Sequence, residues 1–137
     1  PYTMNEMTPE VLLKILDDSG IKNRVIVVSA CYSGGFVPKL ANENTLVMSA
    51  SRDDRNSHGC SHEAEWTFFG KAYFDEALHE TKDFAAAFYK AQEAINKREE
   101  SEKLKHSEPQ IAIGEKIKPV LEKLREQNTG VIYTLPQ

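Results

Sequence analysis

The sequence has few cysteines and lacks the short motifs that bind metals most reliably. Only Cys31 and Cys60 occur among the 137 residues. At most one disulfide can therefore form, whereas small secreted domains stabilised by disulfides usually carry several. No C-x-x-C pair and no H-E-x-x-H motif is present. These absences exclude a disulfide scaffold and the strongest zinc-binding signatures.

Long apolar runs and an excess of basic residues are also missing. The apolar run over 25–28, like every other apolar run of the chain, is far too short to span a bilayer. Lys and Arg number 17 against 21 Asp and Glu, a net charge of −4, and this balance argues against a nucleic-acid partner. With 40% hydrophobic and 28% charged residues, residues 1–137 are expected to form a single soluble globular domain. The chain begins at Pro1 without an initiator methionine or a signal-peptide pattern, so we expect a fragment.

Apolar residues recur at helix or strand spacing in several segments. Thr8 and Pro9 predict a helix start, with Thr8 as the N-cap and Pro9 at the first helical position, and the helix is predicted to end near Gly20. The β-branched run over 25–28 predicts a strand buried on both faces. The other predicted elements are a strand over 45–50, a polar loop over 52–65, helices over 66–80, 83–106 and 115–127, and an edge strand or unstructured tail over 130–135. Within the 83–106 helix, the charged stretch 97–105 is predicted to be a solvated extension.

Strands that alternate with helices predict an α/β fold, here a three-layer α/β/α sandwich with a mostly parallel sheet. In such sheets, catalytic groups gather beyond the carboxyl ends of the strands. The first strand delivers Cys31 to this position, and Gly34 and Gly35 would let a ligand approach the backbone closely. A thiol there suits attack on a carbonyl, with main-chain N–H groups holding the oxyanion. The alternatives are a buried structural cysteine or a Ser33 nucleophile in an incomplete G-x-S-x-G elbow.

A second group of candidate ligands lies in the polar loop. Alternation along an extended segment would place His58, Cys60 and His62 on one face, and one Cys with two His is a workable zinc set. The competing interpretation, an ordinary surface loop, needs no metal. A Cys31–Cys60 disulfide would remove the nucleophile, and two free thiols in a reducing compartment are the alternative that we favour.

Five segments together resemble the C13 cysteine peptidases, the legumain-like family with a caspase-like fold, in its bacterial branch. The first, Val27-Val28-Ser29-Ala30-Cys31-Tyr32-Ser33-Gly34-Gly35-Phe36, resembles the end of the active-site strand of that family. The others follow in the family's order at 45–51, 54–60, 67–72 and 108–111. The similarity covers about residues 6 to 126. It implies a caspase-like sandwich whose N-terminal strands are missing, so that 1–137 is the C-terminal part of a peptidase domain.

The resemblance implies a role for several residues. Cys31 is the implied nucleophile, and its own amide N–H is one half of the implied oxyanion hole. The family's catalytic His lies in a His-Gly step before the nucleophile, which places it upstream of Pro1 and matches none of the four His of this chain. The loop after the second strand lines the implied substrate pocket, and its residues are Ser49, Ser51, Asn56 and Ser57.

Lys71 is a departure from the pattern, because legumains carry an acidic residue there that helps to select asparagine. The resemblance therefore implies a cysteine endopeptidase with a Cys-His dyad and an acyl-enzyme, no metal or cofactor, and a peptide or protein substrate whose selected residue stays open. Because unassisted thiols are mainly protonated at neutral pH, the chain alone is expected to be inactive. The alternatives are a transpeptidase, in which an amine resolves the acyl-enzyme, and a non-catalytic caspase-like module that binds a partner. An exposed sheet edge would also permit self-association.

Overall fold

The computed structural model describes residues 7–59 and 67–128. Helix α3 is continuous and consists of Phe68–Gly70, a π-helical segment Lys71–Ala77 and Leu78–Glu80. A single 3₁₀ turn, Ser33–Gly35, precedes α2. The remaining elements in chain order are α1 (Pro9–Asp18), β1 (Arg24–Val28), α2 (Phe36–Leu40), β2 (Thr45–Ser49), α4 (Phe84–Ser101), β3 (Gln110–Ile113) and α5 (Ile117–Asn128).

The described strands form one sheet in the order β1-β2-β3. Strands β1 and β2 are parallel, with Val28 opposite Ser49, whereas β2 and β3 are antiparallel, with Met48 opposite Ile111. The predicted α/β class is confirmed, but the described sheet is mixed rather than mostly parallel. Strand β3 was not predicted, because four residues are too few to establish a periodicity. The predicted strand over 130–135 lies outside the described residues.

The core lies on one face of β2, the central strand, whose five residues are all buried. Alternation along the strand directs Leu46 and Met48 to the same face, where they pack with α3, α4 and α5. Burying each such side chain stabilises the fold by about 1.5–3 kcal/mol. Aromatic rings dominate this cluster, and Phe69 stacks on Tyr73 with ring centroids 5.7 Å apart. On the other side, α2 contacts β2 and α1 contacts α2.

The predicted start of α1 is confirmed, and two further helices have side-chain caps that were not predicted. The Thr8 hydroxyl accepts a hydrogen bond from the Val11 N–H at 3.2 Å, and Pro9 begins α1. Thr67 caps α3, and the Asp83 carboxylate caps α4 by accepting from the N–H groups of Ala85 and Ala86. These caps satisfy donors that the first helical turn leaves unpaired. Helix α5 accommodates Pro119 in its first turn.

Strand β1 differs from its prediction. It lies at the edge of the described sheet, and Val25 is 37% exposed, so the expectation of burial on both faces is wrong within the described part of the chain. Helix α1 has no buried residue, and Val11 and Ile15 are 46% and 51% exposed. The described residues thus leave apolar side chains uncovered both on β1 and on α1.

The charged stretch 97–105 also differs from its prediction. Helix α4 ends at Ser101, because Lys103 has a φ of 56° and turns the chain out of the helix. Glu99 is 0% exposed, and its carboxylate accepts from the N–H of Ser107 at 3.0 and 3.2 Å. The expectation of a wholly solvated extension is therefore wrong. No helix within 7–59 or 67–128 combines the length and hydropathy needed to cross a membrane.

Candidate active site

The parallel pairing of β1 and β2 brings their carboxyl ends to the same edge of the sheet. The Ala50 N–H donates to the Val28 carbonyl at 2.9 Å, which extends the ladder one step beyond the strands. Cys31 follows β1 by three residues, and Ser51 follows β2 by two. The Ser51 hydroxyl donates to the Ala30 carbonyl at 3.2 Å. Sequence position and strand pairing together therefore set the thiol beside the loop that follows β2.

The thiol of Cys31 is free, half-buried and held by a single residue of that loop. It donates to the Ser57 carbonyl at 3.2 Å and accepts from the Ser57 N–H at 3.3 Å. Among the described residues, no group accepts a hydrogen bond from the main-chain N–H of Cys31. A thiol next to an unpaired N–H can attack a carbonyl and stabilise the oxygen that becomes negative.

The backbone directly after the thiol is strained. Tyr32 has a φ of 59° and a ψ of 18°, the left-handed conformation that a bulky residue rarely adopts. The Tyr32 N–H donates to the Arg55 carbonyl at 2.9 Å, and this bond helps to hold the strained conformation. Strain of this kind costs about 1–3 kcal/mol and clusters at functional sites. It turns the chain sharply at the end of β1, while the tyrosine ring is 56% exposed.

Ser33, the alternative nucleophile, is 0% exposed. Its N–H donates to the Ser51 hydroxyl at 3.4 Å, and its own hydroxyl has no hydrogen-bond partner. A peptide carbonyl cannot reach this hydroxyl in the folded chain, so the geometry argues against Ser33. Gly34 packs against protein rather than against a ligand, because a Cβ built on it would lie 2.5 Å from the Asp53 nitrogen. The expectation that this glycine admits a ligand is therefore wrong.

Three of the four predicted substrate-binding side chains are buried. Ser49 and Ser51 are 0% exposed and Ser57 is 5% exposed, and the Ser49 hydroxyl donates to the Ser51 carbonyl at 2.9 Å. Asn56 is exposed. Substrate binding by these residues stays a prediction, in which the buried serines would act through the main chain that they hold in place.

A cleft of about 220 Å³ opens beside the loop that contacts the thiol. One wall comes from the segment after β2 and the other from the segment after α4, which sequence reasoning assigned to a solvated helix end. The missed signal was the pair His106-Ser107 directly after the charged run. The lining residues are Tyr32, Asp54, Arg55, Asn56, His58, Lys105 and His106.

The buried carboxylate of Glu99 lies behind this cleft. Its oxygens lie 3.8 Å from His58 Nε2 and 3.4 Å from His106 Nδ1. His58 Nε2 also bonds to the Lys105 carbonyl at 2.8 Å, so this ring faces the second wall and not the thiol. Together with the Ser107 N–H, these contacts fix the segment after α4 against the loop after β2.

The other predicted features lie away from this cleft or outside the described residues. Lys71 lines a separate groove between α3 and α4. Cys60 and His62 lie outside the described residues, and so do the zinc set and the disulfide that depend on them. Within 7–59 and 67–128, no cluster of three or more His, Cys, Asp or Glu residues could hold a metal.

A half-buried thiol at the carboxyl ends of parallel strands, beside an unpaired main-chain N–H, is typical of thiol hydrolases of α/β fold. The sequence profile described as the peptidase C13 family matches residues 1–119. The chain belongs to this family of cysteine peptidases, whose fold is caspase-like. This result confirms the resemblance to the C13 family seen in the sequence. A search of curated proteins found no match to the chain.

Proposed function

We propose that residues 1–137 carry the nucleophile of a cysteine endopeptidase. The observation that supports this most directly is the placement of Cys31, held between the carbonyl and the N–H of Ser57 with its own N–H unpaired. Membership of the C13 family supplies the reaction class, and peptides or proteins are the corresponding substrates.

In the proposed reaction, Cys31 Sγ attacks the carbonyl carbon of the scissile peptide bond. The Cys31 N–H donates to the developing oxyanion. A histidine upstream of Pro1, implied by the family resemblance, takes the thiol proton and returns it to the leaving amine. Water then hydrolyses the thioester and releases the acid. The dyad and this upstream base are proposals, and the step needs no metal or cofactor.

The finer features of the fold are also part of this proposal. Strand β2, with helices packed on both of its faces, supports a three-layer caspase-like sandwich. The exposed edge at β1 supports assigning 1–137 to the C-terminal part of that domain. In the substrate pocket, Asn56 offers an exposed amide, while Ser49, Ser51 and Ser57 shape the main chain behind it.

The test compares two variants of the full-length protein on a peptide library. Cys31→Ala is expected to reduce hydrolysis to background, and Ser33→Ala, which removes an unpaired buried hydroxyl, is expected to keep full activity. Activity that survives in Cys31→Ala and disappears in Ser33→Ala would sink the cysteine mechanism. An added nucleophilic amine separates the outcomes of the acyl-enzyme, because a transpeptidase would give aminolysed peptides.

The chain 1–137 alone tests the upstream base. We expect it to cleave no peptide, since it would lack the base and the second half of the oxyanion hole. Hydrolysis by this chain that Cys31→Ala abolishes would show that the base lies within it.

A second candidate function is a module that binds a partner without catalysis. It is favoured by the exposed apolar side chains Val11, Ile15, Ile21 and Val25, which a partner could cover. The exposed edge of the described sheet at β1 would also permit two copies of the chain to associate. Light scattering on the chain and on Ile15→Glu tests this, and a mass that is monomeric in both proteins would contradict self-association.

A further inference from the structure

The cleft beside the loop that contacts the thiol has an uneven distribution of charge. Its lining includes the cations Arg55 and Lys105 and the single anion Asp54. Asn56 and two imidazoles, His58 and His106, complete its polar lining. Which charges remain available to a ligand depends on what each already binds within the protein.

Asp54 is fully engaged by Arg52. The Nε and Nη2 of Arg52 donate to the two carboxylate oxygens of Asp54, and its Nη1 lies 2.7 Å from Glu108 Oε2. The hydrogen bond from Arg52 lowers the pKa of Asp54 to about 2. This planar pairing is the strong bidentate kind. Arg52 therefore neutralises the one anion of the cleft and also forms an ion pair with the neighbouring carboxylate of Glu108.

Arg55 is incompletely paired. Its Nε lies 3.7 Å from both Asp54 Oδ1 and Glu108 Oε2, too far for a hydrogen bond, and this buried nitrogen has no partner. Among the described residues, none accepts a hydrogen bond from the Arg55 guanidinium. The side chain is 21% exposed. A guanidinium has five donors, so Arg55 keeps donors available for a ligand in the cleft.

Lys105 adds a second cation on the opposite wall. It is exposed, and no carboxylate of the described residues pairs with it. Two further carboxylates lie nearby. Glu99 is buried and is occupied by the Ser107 N–H, and Asp53 is exposed but does not line the cleft. Arg55 and Lys105 thus both line a cleft whose single anion, Asp54, is held by Arg52.

We propose that this cleft binds the side-chain carboxylate of an acidic substrate residue near the scissile bond, and that Arg55 is the residue that determines this specificity. The proposal rests on the proposed function, because the cleft acts on peptides only if Cys31 attacks them. The main chain connects the two sites directly. The Arg55 carbonyl accepts a hydrogen bond from the Tyr32 N–H, next to the nucleophile. Ser57, two residues after Arg55, is hydrogen-bonded to the thiol.

The experiment measures alkylation of Cys31 by peptidyl chloromethyl ketones in the full-length protein, read by mass spectrometry of the proteolytic peptide that carries Cys31. The peptides are identical except for Asp, Asn or Lys at one of the two positions before the ketone. Iodoacetamide gives the intrinsic reactivity of the thiol. We expect the Asp ketone to react about tenfold faster than the Asn ketone at one position, with the Lys ketone slowest. About 0.5 M NaCl should reduce this preference.

Three variants test the assignment to Arg55. Arg55→Gln should lower the Asp-to-Asn rate ratio to near one, whereas Arg55→Lys should keep part of the preference. The matched control is Lys22→Gln, which removes the same charge from an exposed residue before the other end of β1, and it should keep the full ratio. Circular dichroism confirms that each variant is folded.

The outcomes separate this inference from the proposed function. If all peptide ketones react faster than iodoacetamide but Asp and Asn are equivalent, or if Arg55→Gln keeps the ratio, the acidic specificity is wrong and the peptidase proposal stands. If no peptide ketone reacts faster than iodoacetamide, Cys31 does not recognise peptides and both proposals fall.

Discussion

The two adjacent glycines after the nucleophile should respond in opposite ways to the same substitution. A Cβ built on Gly34 would lie 2.5 Å from the Asp53 nitrogen and 2.7 Å from the Arg52 carbonyl carbon, whereas one built on Gly35 meets nothing closer than 4.0 Å. The close contacts of Gly34 are with backbone, which cannot rotate away. Neither glycine has a positive φ, so an added Cβ brings no backbone strain at either position.

The magnitudes follow from these contacts. Gly34→Ala forces the segment at Arg52 and Asp53 to move, and overpacking of this kind costs about 1–3 kcal/mol of unfolding free energy. Gly35→Ala fits the existing space and should stabilise the chain by about 0.4–1 kcal/mol, because alanine reduces the entropy of the unfolded state. Urea-induced unfolding, followed by circular dichroism at neutral pH, measures both values.

A second readout connects this packing to the site. The segment that Gly34→Ala displaces leads directly to Arg55, whose carbonyl holds Tyr32, and to Ser57, which holds the thiol. We therefore expect iodoacetamide to alkylate Cys31 faster in Gly34→Ala and at the unchanged rate in Gly35→Ala. Equal stability of the two variants, or a destabilised Gly35→Ala, would refute the packing argument.

Three other predictions concern buried and charged groups. Glu99→Ala should lower the unfolding free energy by about 2–4 kcal/mol, since it opens a cavity and leaves a buried N–H unpaired. The control is Glu100→Ala, at a neighbour whose side chain is 68% exposed, and it should change the unfolding free energy by less than about 0.5 kcal/mol. Similar urea midpoints for the two variants would contradict the burial of Glu99. Burial raises the pKa of Tyr73, so its contribution to stability is complete below its ordinary value of about 10 and is lost as the pH rises above it. At neutral pH, Tyr73→Phe should be about 1 kcal/mol less stable than wild type, because it loses the hydrogen bond to the Phe84 carbonyl. Between neutral pH and about pH 11, the stability of Tyr73→Phe should fall less than that of wild type. An identical fall in both proteins, measured by urea unfolding, would argue against this. The lowered pKa of Asp54 means that the stability contributed by its pairing with Arg52 is present above about pH 4 and is lost as the pH falls through about 2. NMR titration of its carboxyl carbon should give a midpoint of about 2, and a midpoint near 4 would show that the pair does not persist in solution.

Local signals in the sequence predicted most of the regular structure. Thr8 and Pro9 marked the start of α1, and β-branched residues marked β1, because capping and branching act within a few residues. The sequence patterns did not predict how deeply these elements are buried. Burial of β1 depends on which strands lie beside it, and a sequence pattern cannot show that Val25 lies at the edge of the described sheet.

The candidate site was also predictable only in part. The position of Cys31 at the end of β1 was predictable because a strand end followed by small polar residues is a local pattern. The second wall of the cleft was not, since Glu99 looks like one more surface charge until Ser107, eight residues later, returns to bond with it. The sequence also could not distinguish exposed Asn56 from buried Ser49 and Ser51, because neighbouring polar residues in a loop have no fixed periodicity.

The contact between Cys31 and Ser57 has a consequence for the loop that follows β2. The thiol proton and the sulfur lone pair together make two links across the gap between the two strand ends. Any bond formed to sulfur removes the proton and with it the link to the Ser57 carbonyl, which is then left facing a sulfur that can only accept. In the proposed reaction, each acylation would therefore break one of the two hydrogen bonds and each deacylation would form it again. The segment that carries Arg55 and Asn56 would then be held less tightly in the acyl-enzyme than in the free enzyme.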